Sequence, residues 1–144
     1  MYPQSHLFVS LIIASVSLFF GQKAPFLSVE LFGFNLTIFV LCIIFGVFLD
    51  VDHLLDYFLN REYPHENLES QFLKGRMYVV LHGVEGAALL LVLAVVWPFL
   101  VFPAISYACH ILMDIYYNGV SFQAYFYIFR FGKRLKLHAR VNAR

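Results

Sequence analysis

Apolar residues run along this chain in four long blocks, and polar residues are confined almost entirely to the gaps between them. The blocks cover 7–21, 29–49, 77–96 and about 98–117. A helix needs about 20 apolar residues to cross a hydrocarbon core of about 30 Å, and each block comes near that. The pattern predicts four transmembrane helices, with Trp97-Pro98 separating the last two as a tight hairpin. The only long polar connection, NREYPHENLESQFLKGR, spans 60–76. After the fourth block the chain continues as SFQAYFYIFRFGKRLKLHARVNAR, aromatic in its first half and basic in its second. Rings of that kind settle at headgroup level, and the basic half would attract anionic lipid. The expected fold is therefore all-α: an integral membrane bundle of four transmembrane helices over 1–120, with an interfacial segment over 121–144.

Composition supports the membrane class. The chain is 61% hydrophobic and 13% charged, about half the charged share of a soluble domain, and its mean hydropathy is +0.75. Cys42 and Cys109 lie inside apolar blocks without CxxC spacing and read as small core residues. No Lys or Arg precedes the first apolar run and no small-x-small cleavage site follows it, which favours a retained helix over a removed signal. With four spans, nine basic residues fall on one side: Arg61, Lys74, Arg76, Arg130, Lys133, Arg134, Lys136, Arg140 and Arg144. Only Lys23 falls on the other. The positive-inside bias then makes both termini cytoplasmic. A net charge of +1 gives no reason to expect a nucleic-acid partner.

The remaining ionisable residues converge on that basic side. The second helix, drawn over 29–58, ends in DVDHLLD, with Asp50, Asp52, His53 and Asp56. The third, over 77–96, carries His82 and Glu85 at i, i+3. The fourth, over 98–118, carries His110 and Asp114 at i, i+4 near its end. Residues three or four apart are neighbours on a helix, so each pair is a two-point clamp. Five carboxylates brought together oppose one another's ionisation unless a positive charge sits among them. Mixed imidazole and carboxylate donors suit zinc, manganese or iron better than calcium, and the set allows one or two ions. A carboxylate two turns into a membrane helix is costly, about 2.5–3.5 kcal/mol, which marks Glu85 as functional. His65, in the polar loop, reads as ordinary surface, with closure over the site as the alternative. His6 and His138 read as interfacial, and Glu30 and Asn35 as making local helix contacts towards the other side.

These residues also carry a family resemblance. GVFLDVDH at 46–53 resembles the G-x-L-L-P-D-x-D-H segment of small membrane-bound, metal-dependent hydrolases, also described as LexA-binding and inner-membrane-associated. LHGVEG at 81–86 lies where that family's second histidine block belongs, and HILMD at 110–114 matches its later H-x-x-x-D, with a glycine, Gly119, shortly after. The usual proline is Leu49 here, and the second block is reduced to His82-Gly83 with Glu85. The family is distantly similar to helical zinc phospholipases C and nucleases. The resemblance implies a hydrolase of the bacterial or archaeal inner membrane acting on a lipid or lipid-linked phosphate ester. Its metal ligands would come from Asp50, Asp52, His53, His82, His110 and Asp114, with Glu85 or Asp56 as general base. Two rival readings accompany it. One is a non-enzymatic ion- or proton-handling protein, or an assembly partner, although no Asp, Glu, His, Lys or Arg continues the path from 87 to 108. The other is a di-iron lipid oxidase, for which Glu-x-x-His repeats are wanting.

Overall fold

The computed structural model describes residues 3–20, 30–31, 34–59 and 67–142, and side chains at 4–20, 36–59 and 67–135. The order is α1 (Pro3–Phe19), β1 (Glu30–Leu31), β2 (Phe34–Asn35), α2 (Leu36–Val47), α3 (Val51–Leu59), α4 (Leu68–Leu73), α5 (Val84–Val96), α6 (Val101–Tyr117) and α7 (Tyr127–Asn142). Short 3₁₀ turns at Phe48–Asp50, Pro98–Leu100 and Phe122–Tyr125 lead into α3, α6 and α7. Apart from one antiparallel ladder pairing Glu30 with Asn35 and Leu31 with Phe34, the regular structure among the described residues is helical.

Among the described residues, two apolar helices are long enough to cross a membrane: Leu36–Leu59, of 24 residues, and Pro98–Tyr117, of 20. The expected four spans thus reduce, by length, to two. The second block does not begin as helix at 29. Asn35, whose side chain competes for backbone bonds and favours helix boundaries, ends the ladder, and α2 starts at the next residue. α2 then passes through the 3₁₀ turn into α3 without a break in the helical path.

The third block departs further. α5 begins at Val84, not at 77, and its 13 residues reach only about 20 Å. Residues 76–83 are non-helical because other elements hold their backbone groups. Tyr78 N–H donates to Asp56 Oδ1 at 2.6 Å and Leu81 N–H to Asp52 Oδ2 at 2.5 Å. On the carbonyl side, the Tyr107 hydroxyl bonds to Leu81 O and lies 3.2 Å from Gly83 O. Arg130 Nη2 donates to His82 O at 2.6 Å and Arg134 Nη2 to Met77 O at 3.2 Å. With these groups satisfied from outside, a helix would have to break bonds already made. Gly83 then serves as the N-cap of α5 in an extended conformation.

The bundle is arranged around α6, which packs against α1, α2 and α5, while α1 also lies along α2. Its interior is unusually polar. Ser10, Ser17, Thr37, Ser106, His110 and Asp114 are buried, whereas Val92 is 65% exposed, Val95 84% and Leu112 63%. Apolar exteriors with small and polar interiors suit helices packed in lipid, where close backbone approach and interhelical hydrogen bonds hold the bundle. Ser106 Oγ donates to Cys42 O at 2.8 Å, and a Cβ on Gly46 would collide with the Ser10 and Ser106 side chains. The N-terminal end of α1, the C-terminal end of α2 and the C-terminal end of α6 meet at one end of this bundle, through His6, Gly46 and His110, and Asp114. Gly119, at φ 61°, takes the left-handed conformation that ends α6 just past its cap.

Candidate metal centre

At that end of the bundle, six side chains from five elements of the chain face one another. α6 contributes His110 and Asp114, whose Nε2 and Oδ2 lie 3.6 Å apart. The 76–83 segment contributes His82, only 1% exposed. The 3₁₀ turn before α3 contributes Asp50, and α3 itself His53. α1 contributes His6, buried to 2% exposure. His82 Nε2 stands 3.3 Å from Asp114 Oδ2, 3.4 Å from Asp50 Oδ1 and 2.8 Å from His110 Nε2. His110 Nε2 lies 3.6 Å from Asp50 Oδ1, and His6 Nε2 3.1 Å from Asp114 Oδ1.

The outer nitrogens fix which atoms are offered inward. His110 Nδ1 is 2.8 Å from Gly46 O, a carbonyl that can only accept, so Nδ1 carries the proton and Nε2 presents its lone pair to the cluster. His82 Nδ1 lies 2.8 Å from Asp52 Oδ1. A carboxylate on the far nitrogen is how metal-ligating histidines are usually oriented and made more basic. Two Nε2 atoms then point at each other across 2.8 Å, beside two carboxylates. That arrangement calls for positive charge between them. Burial pushes the His82 imidazole towards neutrality, but the carboxylates of Asp114, Asp50 and Asp52 outweigh it and hold the pKa up at about 10. A cation in contact with both Nε2 atoms meets the same demand, and Asp114 Oδ2, buried without a hydrogen-bond partner, is a further open donor. The donor set therefore fits a divalent cation. Two overlapping groups have ligand atoms close enough to hold one: His6, Asp50, His110 and Asp114, and Asp50, His53, His82 and Asp114.

The remaining sequence-derived candidates have other positions. Asp52 is buried and engaged by Leu81 N–H and His82 Nδ1, so it supports a ligand and belongs to neither group. Asp56, expected as a proton acceptor, anchors Tyr78 N–H. Glu85, the other expected base, is not on one helix face with His82. It sits in the first turn of α5, and its Oε1 accepts from Tyr127 N–H at 2.8 Å. Glu85 is thus engaged through Oε1 by the α7 backbone and not by the cluster, while its Oε2 is buried without a hydrogen-bond partner. His65 lies outside the described residues, and His138 lies on α7 beyond the last described side chain. The tail over 121–144 is more than a membrane anchor, since Arg130 is buried and holds the His82 carbonyl.

His6 is the residue that sequence reasoning placed wrongly, as interfacial. Its ring stacks on His110 at 3.9 Å between centroids. The signal was available in the alternating direction of the apolar blocks, which puts position 6 at the same end as 50 and 114. No family model, curated protein or solved structure matches the chain.

Proposed function

We propose that this chain is a membrane-embedded, metal-dependent hydrolase acting on a lipid or lipid-linked phosphate ester at the cytoplasmic leaflet. The observation that carries the reading is the pair of inward-facing Nε2 atoms of His82 and His110 beside Asp50 and Asp114. The local likeness of residues 46–53 and 110–114 to small membrane-bound metal-dependent hydrolases points the same way. Two imidazoles with two carboxylates suit zinc, with manganese next. Those four residues, with His6 and His53, would hold the metal in the two overlapping groups described above. A divalent cation so held supplies Lewis acidity, polarising a phosphoryl oxygen and lowering the pKa of a nearby water towards about 7.

The chain's own residues supply orientation and proton transfer. Asp52 and Gly46 O fix the two imidazole rings. Asp50, with its side chain 27% exposed, meets His53, His82 and His110 through Oδ1. Its second oxygen, Oδ2, is the group we assign to taking the proton from water. Beside Asp50 an apolar hollow of about 270 Å³ is lined by Val47, Phe48, Val51 and Leu54. An acyl or prenyl chain lying there would bring its phosphate to the metal ligands. The basic residues of 130–144 favour an anionic surface nearby.

The test combines metal analysis with turnover. Protein purified in detergent, loaded with zinc or manganese, is assayed for release of phosphate from phosphatidic acid and from a prenyl diphosphate. Hydrolysis that disappears in His110→Ala and Asp114→Asn, with bound metal reduced in both, is the expected result. A protein that binds no zinc or manganese, or that binds metal and hydrolyses neither class, would overturn the assignment.

A further inference from the structure

Asp114 does not aim both of its oxygens at one place. Oδ2 faces His82 and His110, while Oδ1 faces His6 at 3.1 Å on the other side of the carboxylate. A carboxylate holding one ion has no need of a third imidazole behind it. Nor does a single four-coordinate ion account for four imidazoles around two carboxylates. His6 is buried and its Nδ1 has no hydrogen-bond partner, so it is an expensive residue unless it has a charged ligand. His53 stands at the opposite edge, its Nε2 4.0 Å from Asp50 Oδ1 and its ring 4.5 Å from that of His82.

We infer that the site holds two divalent cations, with Asp114 and Asp50 shared between them. One is bound from the α1 side by His6 and His110. The other is bound from the α3 side by His53 and His82. Each four-residue group then contains two imidazoles and the same two carboxylates. Two-ion sites of this kind place their metals about 3.5–4 Å apart, a distance that Asp114 would span through its two oxygens, with Asp50 serving both groups through Oδ1 alone. Two ions also settle the facing Nε2 atoms of His82 and His110, since each lone pair then has its own cation. The inference rests on the metal-site reading above but not on the substrate assigned there.

Its test is metal stoichiometry, with a spectroscopic readout independent of turnover. Detergent-purified protein is dialysed against zinc and, separately, manganese, and bound metal is counted per chain by mass spectrometry. Electron paramagnetic resonance on the manganese form reports whether the ions are close enough to couple. The wild type should hold two ions per chain and give an exchange-coupled manganese signal. His6→Ala and His53→Ala should each hold one ion and show only an isolated-ion signal. His53, half-exposed, is the variant least able to disturb folding, and circular dichroism checks helicity in both. One ion per chain in the wild type overturns the two-ion site while leaving the metal centre standing. No ion at all overturns both. Two uncoupled ions, or a His53→Ala variant still holding two coupled ions, also overturns it.

Discussion

Asp52 lies within 2.8 Å of His82 Nδ1 and also accepts Leu81 N–H, so one carboxylate fixes both the ring and the backbone that carries it. Support of this kind sets the basicity and direction of a ligand without touching the ion. Asp52→Asn, which keeps the shape and removes the charge, should weaken metal binding about 10–100-fold and leave stoichiometry unchanged. A competition titration against a chelator of known affinity measures this. Complete loss of metal would make Asp52 a ligand in its own right, and unchanged affinity would deny it any orienting role. At this scale the sequence was informative about residue types but not about direction. His110 and Asp114, four apart on a regular helix, can be placed on one face by spacing alone. Asp50, Asp52 and Asp56 cannot, because the 3₁₀ turn at Phe48–Asp50 changes the angular step just where Asp50 leaves for the cluster.

The segment 76–83 is the element on which the site depends, and it has no regular structure to hold it in place. Its order comes from Asp52 and Asp56 on one side and from Tyr107, Arg130 and Arg134 on the other. Asp56 is the instructive case, being buried and far from the metal ligands in role. Asp56→Ala leaves Tyr78 N–H without its acceptor, and a buried donor so stranded costs about 1–3 kcal/mol. The variant should melt at lower temperature and bind metal more weakly through the displaced His82, while Asp56→Asn recovers part of the loss. Equal melting of Asp56→Ala and wild type would show that the segment is held without it. Apolar periodicity read this stretch as the start of a helix, since Met77–Val80 continue smoothly into α5. The partners that hold it extended lie 22–29 residues before and 24–57 residues after the groups they bind. No local pattern carries that information. That two stretches form helices long and apolar enough to cross a membrane, by contrast, could be read from composition and length, although the first begins at Leu36 and not at 29.

The candidate cation site joins nearly every part of the molecule. Its ligand groups come from α1, the 3₁₀ turn and α3, the 76–83 segment and α6, and α7 holds the segment from behind through Arg130. Without positive charge, buried carboxylates from separate elements repel one another, and the helices that carry them are pushed apart. Bound metal should therefore stabilise the assembled bundle as well as equip it for chemistry. For a ligand that binds only the folded form, free ion at 100 times its dissociation constant contributes about 2.7 kcal/mol per site. Removing metal with a chelator should lower the melting temperature in detergent by several degrees, and adding zinc back should restore it in a concentration-dependent way. His110→Ala, which lacks a ligand on α6, should melt low and keep only part of the response to zinc, because His53, His82 and the two carboxylates remain. His53→Ala should keep part of the response, because His6, His110 and the two carboxylates remain. A wild-type protein whose melting is indifferent to chelator and to zinc would mean that the acidic cluster is neutralised by protons alone, with His82 carrying the charge.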